Sequence, residues 1–173
     1  MPVYIALLRA VNVGGTGKLP MAELKAMCAD AGFTSIETYI ASGNVVFAAE
    51  QSAAQVKAAL EARLRTRAGK PVGCIVRTPE EMKATLESNP FPEAVPRWTV
   101  AIFLDDPPPP DTLDHMTGRR DEEIRLGKRE IYVAYPAGMG RSKLKISAAA
   151  KGTARNMNTI AKLVDLAATR SAG

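Results

Sequence analysis

The order of strand and helix patterns predicts an α+β protein made of two associated ferredoxin-like (α/β plait) lobes. Two observations support this fold class. Residues 1–78 read as strand, helix, strand, strand, helix, strand, which is the split βαβ order of a plait. Residues 79–173 read as βαββα with a C-terminal helix, a second plait-like lobe without its last strand. We therefore expect two lobes, 1–78 and 79–173, closely packed on each other.

The first lobe opens with a nearly continuous apolar run, residues 3–10, as expected of a central strand. Pro20 suits the first position of a helix, and Gly32 ends that helical pattern. Two strands then meet at Gly43, where glycine supplies the positive φ of a tight hairpin. Ser52 caps a second helix with apolar residues at i, i+4 and i+8, and VGCIVRT predicts a fourth strand.

The second lobe begins with a helix that Thr78 caps, and Glu81 completes a capping box in sequence. WTVAIFLDD predicts a buried strand, and the PPPP that follows predicts an extended linker. EEIRLG and REIYVAYP predict a hairpin that turns at residues 127–128. GRSKLKISAAAKG and ARNMNTIAKLVDLAATR predict two basic C-terminal helices separated by Gly152.

Composition excludes several classes of protein. The 173 residues are 46% hydrophobic and 24% charged, and no apolar run approaches the roughly 20 residues that span a bilayer. The N-terminus lacks the basic region of a signal peptide, so we expect a cytoplasmic protein without a membrane partner. Cys28 and Cys74 have no CxxC or Cys/His neighbourhood, and His115 has no second histidine nearby, so no metal site is predicted.

The net charge of +5 is concentrated near the C-terminus. From Arg141 onward the chain has seven basic residues and one acid, whereas the preceding 140 residues carry 16 basic and 17 acidic side chains. This asymmetry suggests an anionic partner, although a solvated basic face explains it as well. The adjacent acidic pairs at 105–106 and 122–123 are interpreted as solvated, because their side chains diverge.

The stretch NVGGTGKLP, residues 12–20, lies where a phosphate-binding loop would lie. It is not a Walker A loop, because Asn12 replaces the first glycine and Leu19 replaces the hydroxyl that holds magnesium. Pro20 replaces the last glycine of the dinucleotide-binding fingerprint, so that motif fails too. Two interpretations remain open: a small anion nest that includes Lys18, or a plain flexible connection.

Four stretches resemble the bacterial proteins of domain of unknown function family 1697: ALLRAVNVGG, TYIASGNVVF, KREIYVAYPAGMGRSKL and TARNMNTIAKL. The resemblance covers nearly the whole chain and implies a two-lobed α+β fold, but no reaction and no cofactor. Three positions depart from the pattern of the family: Ala10 stands for a glycine, Ala41 for a glutamine and Met157 for a tryptophan.

The resemblance and the opening loop together nominate a ligand-binding site. We expect a polar pocket between the lobes that binds a small phosphate- or carboxylate-bearing ligand, with nucleic-acid binding by the basic C-terminal segment as the alternative. In the last predicted helix, Arg155, Thr159 and Lys162 would share one face. No catalytic residue or cofactor is predicted. The candidate binding residues are Arg9, Asn12, Gly14, Gly15, Lys18, Ser42, Asn44, Arg141, Ser142, Arg155, Asn156 and Asn158.

Overall fold

The computed structural model describes residues 1–9, 19–40 and 43–171, and within these ranges the chain is a mixed α+β protein. They contain four α-helices and ten strands, arranged in three antiparallel sheets. The chain forms two compact units, one of Met1–Met82 with Lys162–Gly173 and the other of Lys83–Ala161. The division into lobes at residues 78 and 79 stays a prediction, because compactness alone does not show where a lobe folds independently.

The first sheet has four antiparallel strands in the order β2-β3-β1-β4. The strands are β1 (Val3–Leu8), β2 (Thr34–Tyr39), β3 (Asn44–Ala48) and β4 (Cys74–Arg77). The helices near them in sequence are α1 (Met21–Asp30), α2 (Ala53–Ala68) and α3 (Pro79–Glu87). Since β1 and β3 are the inner strands, both are buried along their whole length.

The predicted capping residues begin these helices. The Ser52 hydroxyl accepts from the Gln55 backbone N–H, and the Gln55 side chain accepts from the Ser52 N–H at 2.9 Å. Thr78 and Glu81 form the same reciprocal pair at the start of α3. Gly32 follows α1 with a φ of +89°, which confirms glycine as the stop signal. α1 begins one residue later than predicted, at Met21, with extended Pro20 as its cap.

One face of the first sheet packs against α1 and α2. Phe47 on β3 stacks on Phe33 with ring centroids 4.4 Å apart, and both cysteines are buried in the same core. The predicted apolar line of α2 contributes to this core with Val56, Leu60 and Leu64. The element order of the first unit therefore agrees with the prediction from hydrophobic periodicity.

The second sheet is also antiparallel, in the order β10-β5-β8-β7. Its strands are β5 (Thr99–Phe103), β7 (Glu123–Leu126), β8 (Glu130–Ala134) and β10 (Thr153–Asn156). β6 (Met116–Thr117) and β9 (Lys145–Ile146) form a separate two-stranded ribbon. The last helix, α4 (Met157–Ser171), begins directly after β10. The hairpin predicted at residues 127–128 joins β7 to β8.

Two predictions for the second half are wrong. The segment GRSKLKISAAAKG forms an extended stretch, β9 and a 3-10 turn at Ser147–Lys151 instead of an α-helix. The second lobe was predicted to lack its last strand, but this strand is present as β10, which pairs with β5. Arg155 therefore lies on a strand, and it does not share a helix face with Thr159 and Lys162. The long-range pairing of β10 with β5 outweighs the local preference of these residues for a helix.

Candidate functional site

Arg9 directly follows β1, at one end of the first sheet. The backbone on both sides holds this end: the Leu8 N–H donates to the Gly43 carbonyl at 2.8 Å, and the Arg9 N–H donates to the Gly73 carbonyl at 2.9 Å. The ends of β1, β3 and β4 therefore meet at this point. Arg9 is half-buried here, and residues 10–18 continue the chain from it.

The side chain of Arg9 packs closely on Gly73. A Cβ added at Gly73 would lie 3.3 Å from Arg9 Cδ and 3.5 Å from each of Arg9 Nη1 and Glu61 Oε2. Glycine at position 73 thus leaves space that both the guanidinium and the carboxylate border. A larger residue would press on both, so the position of the Arg9 head group depends on this glycine.

Two residues of α2 hold the first residue of β4. Lys57 Nζ donates to Glu61 Oε2 at 3.0 Å and also to the Cys74 carbonyl, and Glu61 Oε2 accepts from the Cys74 N–H at 3.1 Å. Since β4 is an edge strand, these contacts occupy backbone groups that would otherwise face outward. We call Arg9, Lys57, Glu61 and Gly73 the Arg9 cluster. It combines two cationic side chains with one carboxylate.

The hairpin beside the Arg9 cluster has a strained backbone. Ile40 has a φ of +51°, which a β-branched residue rarely adopts. Asn44 is 0% exposed, and its Nδ2 donates to the Tyr39 carbonyl at 2.8 Å, which closes the turn. Gly43 has the predicted positive φ, at +88°. Strained backbone that its surroundings keep in place is a common feature of functional sites.

Ser142 forms a partly buried hydrogen bond with an acid that the sequence did not suggest as its partner. Its hydroxyl donates to Glu122 Oε2 at 2.5 Å, and the Arg120 N–H donates to Glu122 Oε1 at 2.6 Å. The bond from Ser142, with a smaller contribution from the Arg120 N–H, lowers the pKa of the Glu122 carboxyl from its usual value. Glu122 is only 3% exposed, so its interpretation as a solvated side chain is wrong.

Arg155 and Asn156 have local structural contacts on β10. Arg155 is buried, and its Nη1 donates to the Thr153 hydroxyl at 2.6 Å and to the Ala154 carbonyl at 2.9 Å. Burial lowers the pKa of its guanidinium to about 10, so it stays protonated at neutral pH. Asn156 Oδ1 accepts from the Thr159 N–H at 2.9 Å and thereby caps α4.

The structure places the described candidates in separate compact units. Arg9 and Asn44 belong to the first unit, whereas the other five belong to the second. Of those five, Arg141 and Asn158 are exposed. Five further candidates lie outside the described residues: Asn12, Gly14, Gly15, Lys18 and Ser42. A single pocket that unites all these side chains stays a prediction.

Sequence reasoning did not select Lys57, Glu61 or Glu122. The i, i+4 spacing of Lys57 and Glu61 on one helix face was a signal that could have been used, because such side chains are neighbours. For Glu122 no local signal existed, since its partner Ser142 is brought to it by the fold.

A groove of about 470 Å³ lies in the second unit beside the proline-rich linker. His115 Nε2 and Asp111 Oδ2 lie 2.9 Å apart at this groove, and both side chains are exposed. The Ser147 hydroxyl donates to the His115 carbonyl at 3.3 Å, so this hydrogen bond is to the backbone and not to the imidazole. This arrangement does not form a nucleophile activated by a base.

Neither a membrane-spanning helix nor a metal-binding cluster is present among the residues that the structure describes. In that part of the chain, no helix combines the length and the apolarity that crossing a bilayer requires. The same residues contain no group of three or more histidine, cysteine, aspartate or glutamate side chains placed to hold a metal ion.

These features define a mixed α+β protein with two compact units and a charged cluster where the first sheet ends. The chain belongs to the family described as protein of unknown function (DUF1697), which matches residues 1–132. The resemblance seen in the sequence is therefore confirmed. A solved structure, the conserved bacterial protein SP0830 from Streptococcus pneumoniae, is similar over 96% of this chain and 98% of that chain, with a TM-score of 0.78 and 26% identity. The chain matches none of the curated proteins with which it was compared.

Proposed function

We propose that this protein binds a small anionic ligand, bearing a phosphate or a carboxylate, at the Arg9 cluster. The observation that supports this most directly is the packing of the Arg9 side chain on Gly73, which holds a guanidinium at the end of the first sheet. The planar fork of arginine donates to two oxygens of a phosphate or carboxylate at once. A guanidinium whose aliphatic stem is already packed loses less entropy when it binds.

The neighbouring residues support the same proposal. Residues 12–18, which follow Arg9 in sequence, include Gly14, Gly15 and Lys18, and such a composition suits a nest of backbone N–H groups. At short range Glu61 would attract the Arg9 guanidinium and Lys57 would repel it, so the two charges would orient it. The strain at Ile40 is consistent with a backbone conformation retained for a ligand.

A finer description of the fold belongs to this proposal. Both sheets have the same order when their strands are numbered within each unit: β2-β3-β1-β4 and β7-β8-β5-β10. We infer that the units are two ferredoxin-like lobes, of which only the first keeps its connecting helices. A cytoplasmic location, where phosphorylated metabolites are abundant, is part of the same proposal.

A thermal-shift experiment tests the proposed function. The protein is heated with inorganic phosphate, a nucleoside monophosphate, a sugar phosphate or citrate. At a ligand concentration of about 100 times Kd we expect about 2.7 kcal/mol of stabilisation, which raises the Tm by roughly 5–10 °C. Arg9→Lys keeps the charge but loses the fork, and should weaken binding by about tenfold or more, because a hydrogen bond to a charged group contributes about 1.5–3 kcal/mol.

The matched control is Arg65→Lys, which changes an exposed arginine of α2 in the same unit. It should leave the ligand-induced shift unchanged. The proposal is wrong if no tested anion raises the Tm of the wild-type protein, or if both variants lose the shift equally.

A further inference from the structure

The segment from Arg141 to Ile146 alternates cations with inward-facing side chains. Arg141, Lys143 and Lys145 are exposed. The residues that follow each of them are half-buried or buried: Ser142, Leu144 and Ile146. Leu144 and Ile146 pack in the core of the second unit. The three cations are therefore exposed along one short segment, whose last two residues form β9.

The neighbouring segment holds this alternation in place. Thr117 pairs with Lys145 in the β6–β9 ribbon. Gly118 has a φ of +71°, and a Cβ added there would lie 2.0 Å from the Lys143 carbonyl oxygen, so the two backbones are in direct contact. The bond from Ser142 to Glu122 fixes the segment at its other end. The exposed cations therefore project from a backbone that is held at both ends.

The charge of these cations is not neutralised by an ion pair. Among the residues that the structure describes, none of the three forms a salt bridge. The neighbouring segment adds two exposed cations, Arg119 and Arg120. It also carries two exposed acids, Asp121 and Glu123, which balance their charge. The net positive charge of this surface therefore comes from the three cations of the segment from Arg141 to Ile146.

We propose that Arg141, Lys143 and Lys145, here called the basic edge, bind the phosphodiester backbone of single-stranded nucleic acid. Three exposed cations on one short segment, none of them in a salt bridge within the described residues, can pair with neighbouring phosphates of one strand, and their pairing releases counterions. This proposal is independent of the anion site at the Arg9 cluster.

The binding should not depend on base sequence. The only tryptophan, Trp98, has the Arg97 guanidinium 4.7 Å from its ring centroid, and a Cβ added at Gly138 would lie 3.3 Å from the same ring. Arg97 and Gly138 therefore both lie close to this ring, which leaves less of it open for a base to stack on. Phosphate contacts without stacking or base-edge contacts carry no sequence information.

Fluorescence anisotropy with a labelled oligothymidylate of about 12 nucleotides, a length within the known range of single-strand sites, tests the proposal. Between about 50 and 200 mM salt, three phosphate contacts predict a slope of log K against log salt of about −2. Lys143→Ala should reduce the magnitude of that slope by about 0.7, and Lys143→Arg should keep the wild-type slope.

Lys70→Ala is the matched control, because Lys70 is an exposed lysine of the first unit. It should change neither the affinity nor the slope. The proposal is overturned by any of four results: no binding at about 50 mM salt, an equal loss in Lys70→Ala, tighter binding of a duplex of the same length, or binding of phosphatidylserine vesicles without binding of the oligonucleotide.

Discussion

Arg170, in the last turn of α4, donates its Nε–H to the carbonyl oxygen of Ser35 at 2.6 Å. Ser35 lies on β2 with a φ of +52°, where the register between β2 and β3 shifts. The same guanidinium contacts Glu37 Oε2 at 3.2 Å. A bulge leaves backbone groups without partners in the ladder, and here an arginine from a distant part of the sequence satisfies one of them.

Arg170→Ala should lower the free energy of unfolding by about 1–2 kcal/mol, because it removes a charged donor from the Ser35 carbonyl. The side chain of Arg170 is only 14% exposed. The ion pair with the half-exposed Glu37 should add little, as exposed pairs do. Urea denaturation measures the change. Lys162→Ala, an exposed residue of the same helix, is the control, and an equal effect of both variants would contradict the prediction.

Ile40→Gly should raise the free energy of unfolding by about 0.5–1 kcal/mol. The left-handed conformation costs a residue with a Cβ about 1–2 kcal/mol, and the larger chain entropy of glycine offsets part of that gain. Ile40 is 49% exposed, so little packing is lost. Ile36→Gly on β2, where φ is not positive, should instead destabilise the protein. Thermal unfolding of both variants checks the expected opposite signs.

Gly118→Ala should be strongly destabilising, by more than about 2 kcal/mol, because it combines a positive φ with a clash against the Lys143 carbonyl. Gly69→Ala separates the two causes. Gly69 also has a positive φ, of +72°, but a Cβ there meets nothing within 4 Å. Its cost should be only about 1 kcal/mol. Equal costs in guanidinium denaturation would show that the backbone contact at Gly118 is unimportant.

The Glu122 carboxyl should make the protein less stable in acid. Its pKa is lower in the folded protein than the usual glutamate value of 4.5, chiefly because of the Ser142 hydroxyl, so its stabilising contribution is present above that value. The contribution is lost as the pH falls from 4.5 through the lower folded pKa. Glu122→Gln should therefore unfold more easily than wild type near neutral pH, and the difference should shrink in acid.

Urea denaturation across this pH range measures that convergence. Glu123→Gln changes the exposed neighbour of Glu122. Its free energy of unfolding should keep a constant difference from that of wild type across the pH range. A constant difference between Glu122→Gln and wild type at all pH values would show that the carboxylate charge contributes nothing.

The first unit was predictable from sequence because its signals are local. Capping boxes at Ser52 and Thr78 begin helices, Gly32 ends one, and Gly43 marks a hairpin. Each of these features depends on residues within a few positions of one another. The bulge at Ser35 was not predictable, since the group that supports it comes from the other end of the chain.

In the second unit, the prediction of secondary structure from sequence fails where two periodicities compete. The run from Arg141 to Ile146 alternates polar and inward-facing positions, which is typical of a strand, but the Ala-rich stretch after it favours a helix. Asn156 is both the last residue of β10 and the cap of α4, so no turn residue separates strand from helix. The burial of Glu122 depends on Ser142, a partner that no local pattern specifies.

The grouping of Lys162–Gly173 with Met1–Met82 has a consequence for synthesis on the ribosome. Translation delivers the first sheet early, but the arginine that supports its bulge emerges only after Lys83–Ala161 has left the tunnel. Domains generally fold in the order in which they are made. In this chain the first unit is therefore complete only after the second unit has been synthesised.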